Sequence, residues 1–409
     1  MSARPLLLLF LSGLASCVSY ERDDATPQSV AAIIDARVGG TYTIDEAIEL
    51  ALHQNPRLQA LLARLRAANA ATTVPIPLRI NWLGRREALE VLIDPIALLG
   101  LGPRGAAIDS AESRLLEAAA QLAVQRWRTI AAVVTEYRIY AALQKLQVAD
   151  LNLDIESFER AGLASPVAAL QLRAAQARST SEQAQLARER SDNLARLREL
   201  LGLPDSAELT ITASTDDWLQ QPDGTASDLV TRPDLSLAAA QFQVADAEFY
   251  QAVTEQYPSL QIGPNISLAG DPLRAMAMLQ IPIGMQGLAE AARERREATR
   301  SELEAAFLLA KREASVSDQQ LLATQADATA TAAGLQASTT AFDAARASIE
   351  VEVDAFAMFA DAASMVMRNT MEHRSAVLAH ARAEVQRAVA YGWPRIPQQS
   401  PPQMPEQQS

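Results

Sequence analysis

The chain has 409 residues, of which 5% are aromatic and 16 are Gly, and its formal net charge at pH 7 is -13. So few aromatic residues and glycines are lean for several compact cores, whereas stretches rich in Ala, Leu, Gln, Glu and Arg are typical of long helices and coiled coils. The acidic charge argues against nucleic-acid binding, which needs a basic face.

The N-terminal stretch predicts a secretory signal followed by a lipid anchor. Arg4 precedes an apolar run at 6–11, which is too short to cross a membrane as a helix. Leu14-Ala15-Ser16-Cys17 resembles the bacterial lipobox, in which the Cys is acylated and becomes the first residue of the mature chain. We therefore predict a signal peptide at 1–16, lipidation at Cys17 and, because no Asp follows, retention at the outer membrane. The alternative is a signal peptide that is cut elsewhere.

A short stretch occurs twice in the chain. VLIDPIALLGLG at 91–102 aligns without gaps with MLQIPIGMQGLA at 278–289, and each copy lies between an alternating apolar segment and a long Ala-rich helical pattern. A repeat of this kind indicates a duplicated unit. The predicted divisions are an N-terminal linker at 17–42, a first repeat at 43–205, a polar linker at 206–228, a second repeat at 229–391, and a disordered Pro/Gln-rich tail at 392–409.

Each repeat is predicted to open with a helix and continue into a β-hairpin. Thr43 and Glu46 predict a capping box, and Pro56 predicts a kink or break in the opening helix. Apolar and polar residues then alternate with the period of a strand, which predicts hairpins at 74–97 and 257–285. Strands of roughly ten residues can cross a bilayer when tilted, but four strands cannot close a barrel, so several chains would share one. The alternative is two soluble hairpins that pack on the helices.

A long helical hairpin is predicted after each β-hairpin, at 104–202 and 288–391. Within the first, the segment 104–160 is predicted to be one helix of roughly 85 Å. Apolar or small side chains recur every seven residues as a coiled-coil seam. The seam positions are Trp127, Val134, Ala141, Val148 and Ile155 in the first copy, and Leu309, Val316, Ala323, Ala330, Ala337, Ala344 and Val351 in the second. Such helices fit a tube wall or, alternatively, an isolated fibrous coiled coil.

The order and spacing of these segments resemble the TolC-type outer membrane efflux family. The stretch 43–61 resembles the opening helix of that family, 159–178 resembles its first periplasmic helical tip, and LLGLP at 200–204 with RPDL at 232–235 resembles its mid-chain junction. The resemblance implies a mainly α fold with a small transmembrane β part. It implies a homotrimer with a shared twelve-stranded β-barrel, continued across the periplasm by a twelve-helix α-barrel of long coiled-coil hairpins.

The same resemblance implies a passive exit duct for small molecules or metal ions in a tripartite efflux or secretion system. The implied partners are outer membrane lipid and a periplasmic adaptor (membrane fusion) protein, and through it an inner membrane transporter. With three His and no His/Cys/Asp cluster or Gly-rich phosphate loop, we expect no enzyme activity, no catalytic residue and no cofactor. The alternative is a lipid-anchored periplasmic coiled-coil scaffold without a pore, because Pro and Arg residues weaken the first hairpin as a membrane segment.

The first helical tip of the family corresponds to the turn between the long helices of the first repeat. Its residues are Gly162, Leu163, Ala164 and Ser165, and the pattern predicts that Gly162 ends one helix and Pro166 begins the next. The resemblance implies that this exposed turn contacts the adaptor protein, and the alternative is a purely structural turn.

The second helical tip departs from the pattern of the family. Ser348 stands where the family usually has Gly, whereas Asp354 stands where it has the Asp of an acidic ring that closes the tube. Glu350, Glu352 and Asp354 are therefore a possible periplasmic gate, since a ring of carboxylates favours cations at a constriction. A solvated acidic face is the alternative.

The last helix contains side chains that bind soft metals. These are Met358, Met365, Met367, Met371, His373 and His380. A Met stripe on a helix is usually core filling, and the seven-residue spacing of Met358 and Met365 fits a seam. We therefore predict no metal site.

Overall fold

The computed structural model describes most of the chain from residue 26 to residue 394. The described ranges are 26–74, 78–83, 88–95, 102–148, 151, 154–162, 164–212, 229–267, 274–282, 284–348 and 355–394. The predicted signal peptide, Cys17, Leu163, the three gate carboxylates Glu350, Glu352 and Asp354, and most of the tail lie outside these ranges.

The described part consists mainly of helices with two small sheets. In chain order the elements are α1 (Pro27–Asp35), β1 (Gly40–Tyr42), α2 (Ile44–Gln54), α3 (Pro56–Ala71), β2 (Leu78–Leu83), β3 (Ala88–Ile93), α4 (Pro103–Lys145), α5 (Ile155–Arg160), α6 (Pro166–Leu201), β4 (Leu209–Ile211), α7 (Pro233–Thr254), β5 (Ser259–Ser267), β6 (Arg274–Gln280), α8 (Gln286–Ser348) and α9 (Ala355–Ala390). None of the described helices combines the length and the apolar character that a bilayer span needs.

The opening helix begins and breaks where the sequence predicts. The Glu46 N–H donates to the Thr43 hydroxyl at 3.4 Å, and the Thr43 N–H donates to Glu46 Oε2 at 2.8 Å, which completes the capping box. The break falls at Asn55, whose side chain accepts from the Arg57 N–H and caps α3, with Pro56 as its first residue. The capping box and the break are therefore confirmed.

Two stretches interpreted as linkers contain regular structure. Residues 17–42 include the helix α1 and the strand β1, and the linker at 206–228 begins with β4. The strands β1 and β4 pair in parallel, with Tyr42 opposite Ile211. Leu209 and Ile211 are buried, and the alternation Leu-Thr-Ile was the signal in the sequence for this strand.

The two β-hairpins form one antiparallel sheet in the order β2-β3-β5-β6. Strand β3 of the first repeat pairs with β5 of the second, with Ala88 opposite Ser267 and Ile93 opposite Ile262. The strands have 6, 6, 9 and 7 described residues, shorter than the ten expected. The repeats are thus joined edge to edge at this end of the molecule.

The first long helical segment is interrupted, contrary to the prediction of one helix over 104–160. Helix α4 ends at Lys145, and the next helix, α5, begins only at Ile155, where Asp154 accepts from the Ser157 N–H as its N-cap. A side chain that caps a helix start competes with continuation of the helix, which explains the break. The predicted seam nevertheless holds, because Trp127, Val134 and Ile155 are buried.

The predicted seam of the second long helix is wrong by one residue. Leu309 and Val316 remain 54% and 49% exposed, whereas α8 buries Ala310, Ala314 and Ser317 against its own chain. Small residues on the inner face allow α8 to lie close to α9. The larger apolar side chains that indicated a seam form a separate outer face of α8.

The helices form a layer with a defined order. Helix α2 contacts α4 and α6, and α3 contacts α4; α4 in turn contacts α7 and α9, α6 contacts α9, and α8 contacts α7 and α9. Two buried clusters hold the layer together, one around Leu172, Phe356 and Phe359, and one around Ile48 and Val133. Helices α2 and α3 therefore lie at one edge of the chain and α8 lies at the other.

Candidate membrane end and helical tip

The sheet ends in two strands that lack a second neighbour among the described residues. Strands β2 and β6 are the terminal strands of the order, so each presents a row of backbone N–H and C=O groups. On one face of the second hairpin, Ile262, Leu279 and Ile281 are 45%, 60% and 61% exposed. Polar Gln261 lies on the opposite face, across from Met278. An exposed apolar face together with open edges is suited to lipid only if other strands close the sheet.

At the far end of the helices, the first tip is a tight turn with a glycine in the left-handed region. Gly162 has a φ of +69°, and a Cβ placed there would meet no atom within 4 Å. Ser165 caps α6, because its hydroxyl accepts from the Ala168 N–H at 3.2 Å, and Pro166 follows as the first helical residue. The predicted Gly stop and Pro start are confirmed. The turn therefore presents an uncovered surface at Gly162.

An aromatic cluster behind the tip was not predicted from the sequence. The ring centroid of Phe356 lies 5.4 Å from that of Phe158 and 6.5 Å from that of Phe359. The ring centroids of Phe359 and Phe342 are 4.9 Å apart. Phe158 precedes the first tip, and Phe342 and Phe356 flank the second. Aromatic residues close to each predicted turn were the available signal. The cluster fastens the two helical tips of the chain to each other.

An arginine of α6 stabilises the end of α4. The Arg190 guanidinium donates to the Leu143 carbonyl at 2.8 and 3.2 Å and to the Leu146 carbonyl at 3.1 Å. These carbonyls lose their helical partners where α4 ends, and a cation at a helix C-terminus also interacts favourably with the helix dipole. Arg190 therefore holds the interruption between α4 and α5 in place.

Beside this interruption, α6 and α9 share a buried group of charges. Arg374 lies 2.7 Å from Glu182 and 3.8 Å from Glu189, and only 12% of its side chain is exposed. The Asn193 amide donates to the Glu136 carboxylate at 2.6 Å. A cavity of about 300 Å³ opens next to these residues. Buried pairs of this kind fix the register of neighbouring helices more than they add stability.

The mid-chain junction is built around Arg232, which is 3% exposed. Its guanidinium binds both carboxylate oxygens of Asp234, reaches Glu313 at 2.8 Å and donates to the Ala390 carbonyl at 2.9 Å. Burial alone would lower the pKa of Arg232, but the hydrogen bonds and charges of Asp234 and Glu313 outweigh burial and raise it. Arg232 therefore remains charged and ties α7, α8 and the end of α9 together.

The aromatic and ionic groups around Arg232 extend this junction. Arg232 lies 5.7 Å from the Trp127 ring, and the Trp127 indole donates to the Trp393 carbonyl at 2.8 Å. The Tyr391 hydroxyl and the Arg387 guanidinium donate to Asp318 at 2.6 and 2.7 Å. The end of α9 is thus fixed to α4 and α8 at the middle of the molecule.

The Met and His residues of α9 do not converge. Met367 is buried and fills the core as predicted, whereas Met358 and Met365 are 65% and 52% exposed, so their assignment to a seam is wrong. His373 and His380 each face a hydroxyl of α8, Thr331 at 3.3 Å and Thr324 at 3.5 Å. Within the described ranges, no three His, Cys, Asp or Glu residues are grouped as metal ligands.

Neither a family model nor a curated protein matches the sequence. Solved structures do match, over most of their length. The outer-membrane channel OprN is 18% identical, with 92% of this chain and 98% of that chain covered and a TM-score of 0.71. CusC, whose structures concern conformational changes that accompany folding and transmembrane channel formation, is 16% identical. The match covers 92% of this chain and 99% of that chain, with a TM-score of 0.71. The open state of the Neisseria gonorrhoeae MtrE outer membrane channel is 16% identical, with 85% and 88% covered and a TM-score of 0.65.

Proposed function

We propose that this chain, which has the fold of outer membrane channels, is the outer membrane channel of a tripartite efflux or secretion system. It serves as a passive exit duct for small molecules or metal ions and has no catalytic role. The observation that carries the proposal is the four-stranded sheet with two open edges and an exposed apolar face, joined to long helices. Open sheet edges are not tolerated in lipid, where every backbone polar group needs a partner.

A homotrimer resolves this constraint. Three sheets of four strands close one barrel of twelve, in which the β6 edge of one copy pairs with the β2 edge of the next. The long helices continue this barrel as a tube through the periplasm. The apolar outer face of α8, which is exposed in the single chain, then lies between copies.

The deciding experiment combines native mass with conductance. Protein extracted from outer membranes in detergent is expected to have the mass of three chains and to form pores in planar bilayers. A monomer or dimer without conductance would instead support a periplasmic scaffold and would end the channel proposal.

Lipidation at Cys17 is proposed to anchor each copy. The expected outcome is that mass spectrometry of the mature N-terminus finds an acylated Cys17 as the first residue. Cys17→Ser is expected to abolish this acylation. A mature chain that starts elsewhere without lipid would contradict the anchor.

The tip at 162–165 is proposed to dock the periplasmic adaptor and, through it, an inner membrane transporter. Support comes from the uncovered left-handed turn at Gly162. Gly162→Asn keeps this conformation accessible, because Asn tolerates it, but adds a polar side chain at the tip. We expect Gly162→Asn to weaken adaptor crosslinking while the trimer and its conductance persist.

Gly284 offers a matched control for this tip variant. It has a φ of +83°, also with no atom near an added Cβ, and it lies at the membrane end. Gly284→Asn is expected to leave adaptor crosslinking unchanged. Equal crosslinking by both variants and the unaltered chain would exclude the turn as the docking surface.

The carboxylates Glu350, Glu352 and Asp354 are proposed as the periplasmic gate. A three-fold ring of carboxylates at a constriction favours cations and binds multivalent ones. Asp354→Ala is therefore expected to raise conductance and to weaken block by multivalent cations. Glu372→Ala, an exposed carboxylate on α9, is the control and should change neither property. Unchanged conductance and block in Asp354→Ala would remove the gate assignment.

A further inference from the structure

Helix α1 is a well-formed helix whose apolar side is uncovered. The Ser29 N–H donates to the Thr26 hydroxyl and the Thr26 N–H donates to the Ser29 hydroxyl, so its start carries a complete capping box. Yet none of its residues is buried, and Val30 and Ile33 are 47% and 63% exposed. An isolated helix of nine residues is marginal in water without packing on a partner. This helix therefore requires a covering surface.

The contacts of Arg37 place the end of α1 at the middle of the molecule and at one edge of the helical layer. Arg37, which follows the helix, donates to the Gly202 carbonyl at 2.6 Å and reaches the Gln54 carbonyl at 3.5 Å. These carbonyls end α6 and α2, and α2 lies at the edge of the layer away from α8. The buried cluster next to Gly202 includes Leu203 and Val385, and Val385 lies two residues before Arg387, which binds Asp318 of α8.

The opposite edge of the layer presents an uncovered apolar surface at the same height. On either side of Asp318, α8 exposes Leu308, Leu309, Val316 and Leu322, with exposed fractions of 67%, 54%, 49% and 68%. The exposed cations Lys311 and Arg312 lie within this stretch, whose two carboxylates, Glu313 and Asp318, already pair with Arg232 and Arg387. Helix α1 carries no Lys or Arg, and its only charge is the exposed Asp35. The two surfaces are thus complementary in both apolar character and charge.

A membrane is a poor occupant for α1. Helices that lie in a bilayer surface usually carry Lys and Arg on their polar side, and α1 has neither. The nine residue-to-residue steps from Cys17 to Thr26 span at most about 30 Å when extended. An anchor at Cys17 can therefore lie in the membrane while α1 begins up to about 30 Å away from it.

We propose that α1 of one copy packs on the outer face of α8 of the next copy, with Val30 and Ile33 against Leu309 and Val316 and with Asp35 near Lys311 and Arg312. The proposal rests on the ring of copies proposed above. We call this contact between α1 of one copy and α8 of the next copy the clasp. In a ring, the α1 edge of each copy meets the α8 edge of its neighbour. Each copy therefore contributes its α1 to one clasp and its α8 to another.

Disulfide crosslinking tests this contact directly. The pairs Ile33→Cys with Leu309→Cys and Ile33→Cys with Val316→Cys are oxidised in outer membranes and separated without reductant. At least one pair is expected to give species of two and three chains. Ile33→Cys with Leu170→Cys, an exposed position near the tip, should give none beyond the background of the chain without added cysteines. Absence of crosslinks from both clasp pairs in a trimer would overturn the proposal.

A second measurement does not depend on crosslinking geometry. Ile33→Glu is expected to increase the monomer released on heating in detergent by about tenfold or more, because an apolar side chain would no longer be buried between copies. Val38→Glu, at an 84% exposed position outside the helix, is the control and should release no more monomer than the unaltered chain. Equal release by the two variants would contradict the clasp.

Two further results separate the clasp from its rivals. Quenching of a fluorophore on Ile33→Cys by brominated lipids would place α1 on the membrane and overturn the clasp. A native mass of one chain without conductance would contradict the channel proposal itself. A conducting trimer without clasp crosslinks would contradict only the clasp.

Discussion

At the scale of single residues, Arg232 is a buried cation that pairs with two carboxylates. Arg232→Met would leave Asp234 and Glu313 without their cation and the Ala390 carbonyl without its donor. Removing one partner of a buried ion pair costs about 3–5 kcal/mol, so we expect a loss of this size in the free energy of unfolding. Thermal or denaturant unfolding in detergent measures it.

The matched control for this variant is Arg300→Met on the exposed side of α8. Arg300 pairs with Glu304 at 3.5 Å, but both side chains are more than half exposed, so the change should cost less than about 1 kcal/mol. Comparable losses in the free energy of unfolding in the two variants would mean that the burial of Arg232 does not determine its contribution to stability.

A single capping carboxylate gives the opening helix a pH dependence. The backbone N–H and hydroxyl of Thr43 hydrogen-bond to Glu46 and lower the pKa of its carboxyl below the ordinary 4.5. A lowered pKa in the folded state means that the stabilisation is present above the unfolded value and is lost as pH falls through the folded pKa. Glu46→Gln removes the titrating carboxyl, so it should reduce the free energy of unfolding at pH 7 and narrow the difference in that free energy between pH 7 and pH 3, as read by thermal unfolding.

Glu49→Gln is the control for this pH effect, because Glu49 is exposed on the same helix and takes no part in the cap. It should keep the acid sensitivity of the unaltered chain. An unchanged pH dependence in Glu46→Gln would exclude the Glu46 cap as its source.

At the scale of helices, the junction between α4 and α5 depends on a residue from another helix, Arg190 of α6. Arg190→Met would leave the Leu143 and Leu146 carbonyls without their donor. Hydrogen bonds to a charged group contribute about 1.5–3 kcal/mol, and we expect a loss in that range together with faster hydrogen exchange at the end of α4. Arg188→Met, which affects only a bond to Ala184 within its own helix, should leave exchange in α4 unchanged.

The elements also indicate how far sequence reasoning extends. Caps and stops such as Thr43, Gly162 and Gly202 were predictable, because their signals lie within a few residues of one another. The interruption of α4 was not, since a periodic pattern continues through it and its stabilising residue, Arg190, lies more than forty residues away. The side of α8 that faces its own chain was mistaken because two of its faces are apolar or small, and the periodicity alone does not indicate which one a neighbouring copy covers.

For the candidate site, the prediction was limited in a different way. The residues of the first tip follow from a Gly and Pro pattern that is local, and the structure places Gly162 and Ser165 there. The aromatic cluster behind the tip unites Phe158, Phe342 and Phe356 from three helices. Contacts over such separations require the packing of helices to be known.

At the scale of the whole molecule, the two faces of the second hairpin should respond differently to charge. Leu279 lies on the exposed apolar face and Met278 on the face of Gln261. In a shared barrel, an Arg on the lipid face costs about 2–4 kcal/mol at the middle of the bilayer, whereas one on the lumen face is tolerated. We expect Leu279→Arg to reduce the amount of trimer in outer membranes and Met278→Arg to preserve it but alter ion selectivity. Equal trimer yields would indicate that the hairpin does not cross the membrane.

The interruption between α4 and α5 has a mechanical consequence for the proposed tube. Helix α8 runs without a break for 63 residues, about 95 Å, and behaves as one stiff strut. The other hairpin has a joint where α4 stops and α5 begins, held by arginine contacts. In the proposed ring of three copies, unbroken α8 helices alternate with interrupted α4–α5 segments, so bending is concentrated at the interruptions. If the proposed tube forms, its bore at the tip end would change by bending at the three interruptions, while the unbroken α8 helices keep its length constant.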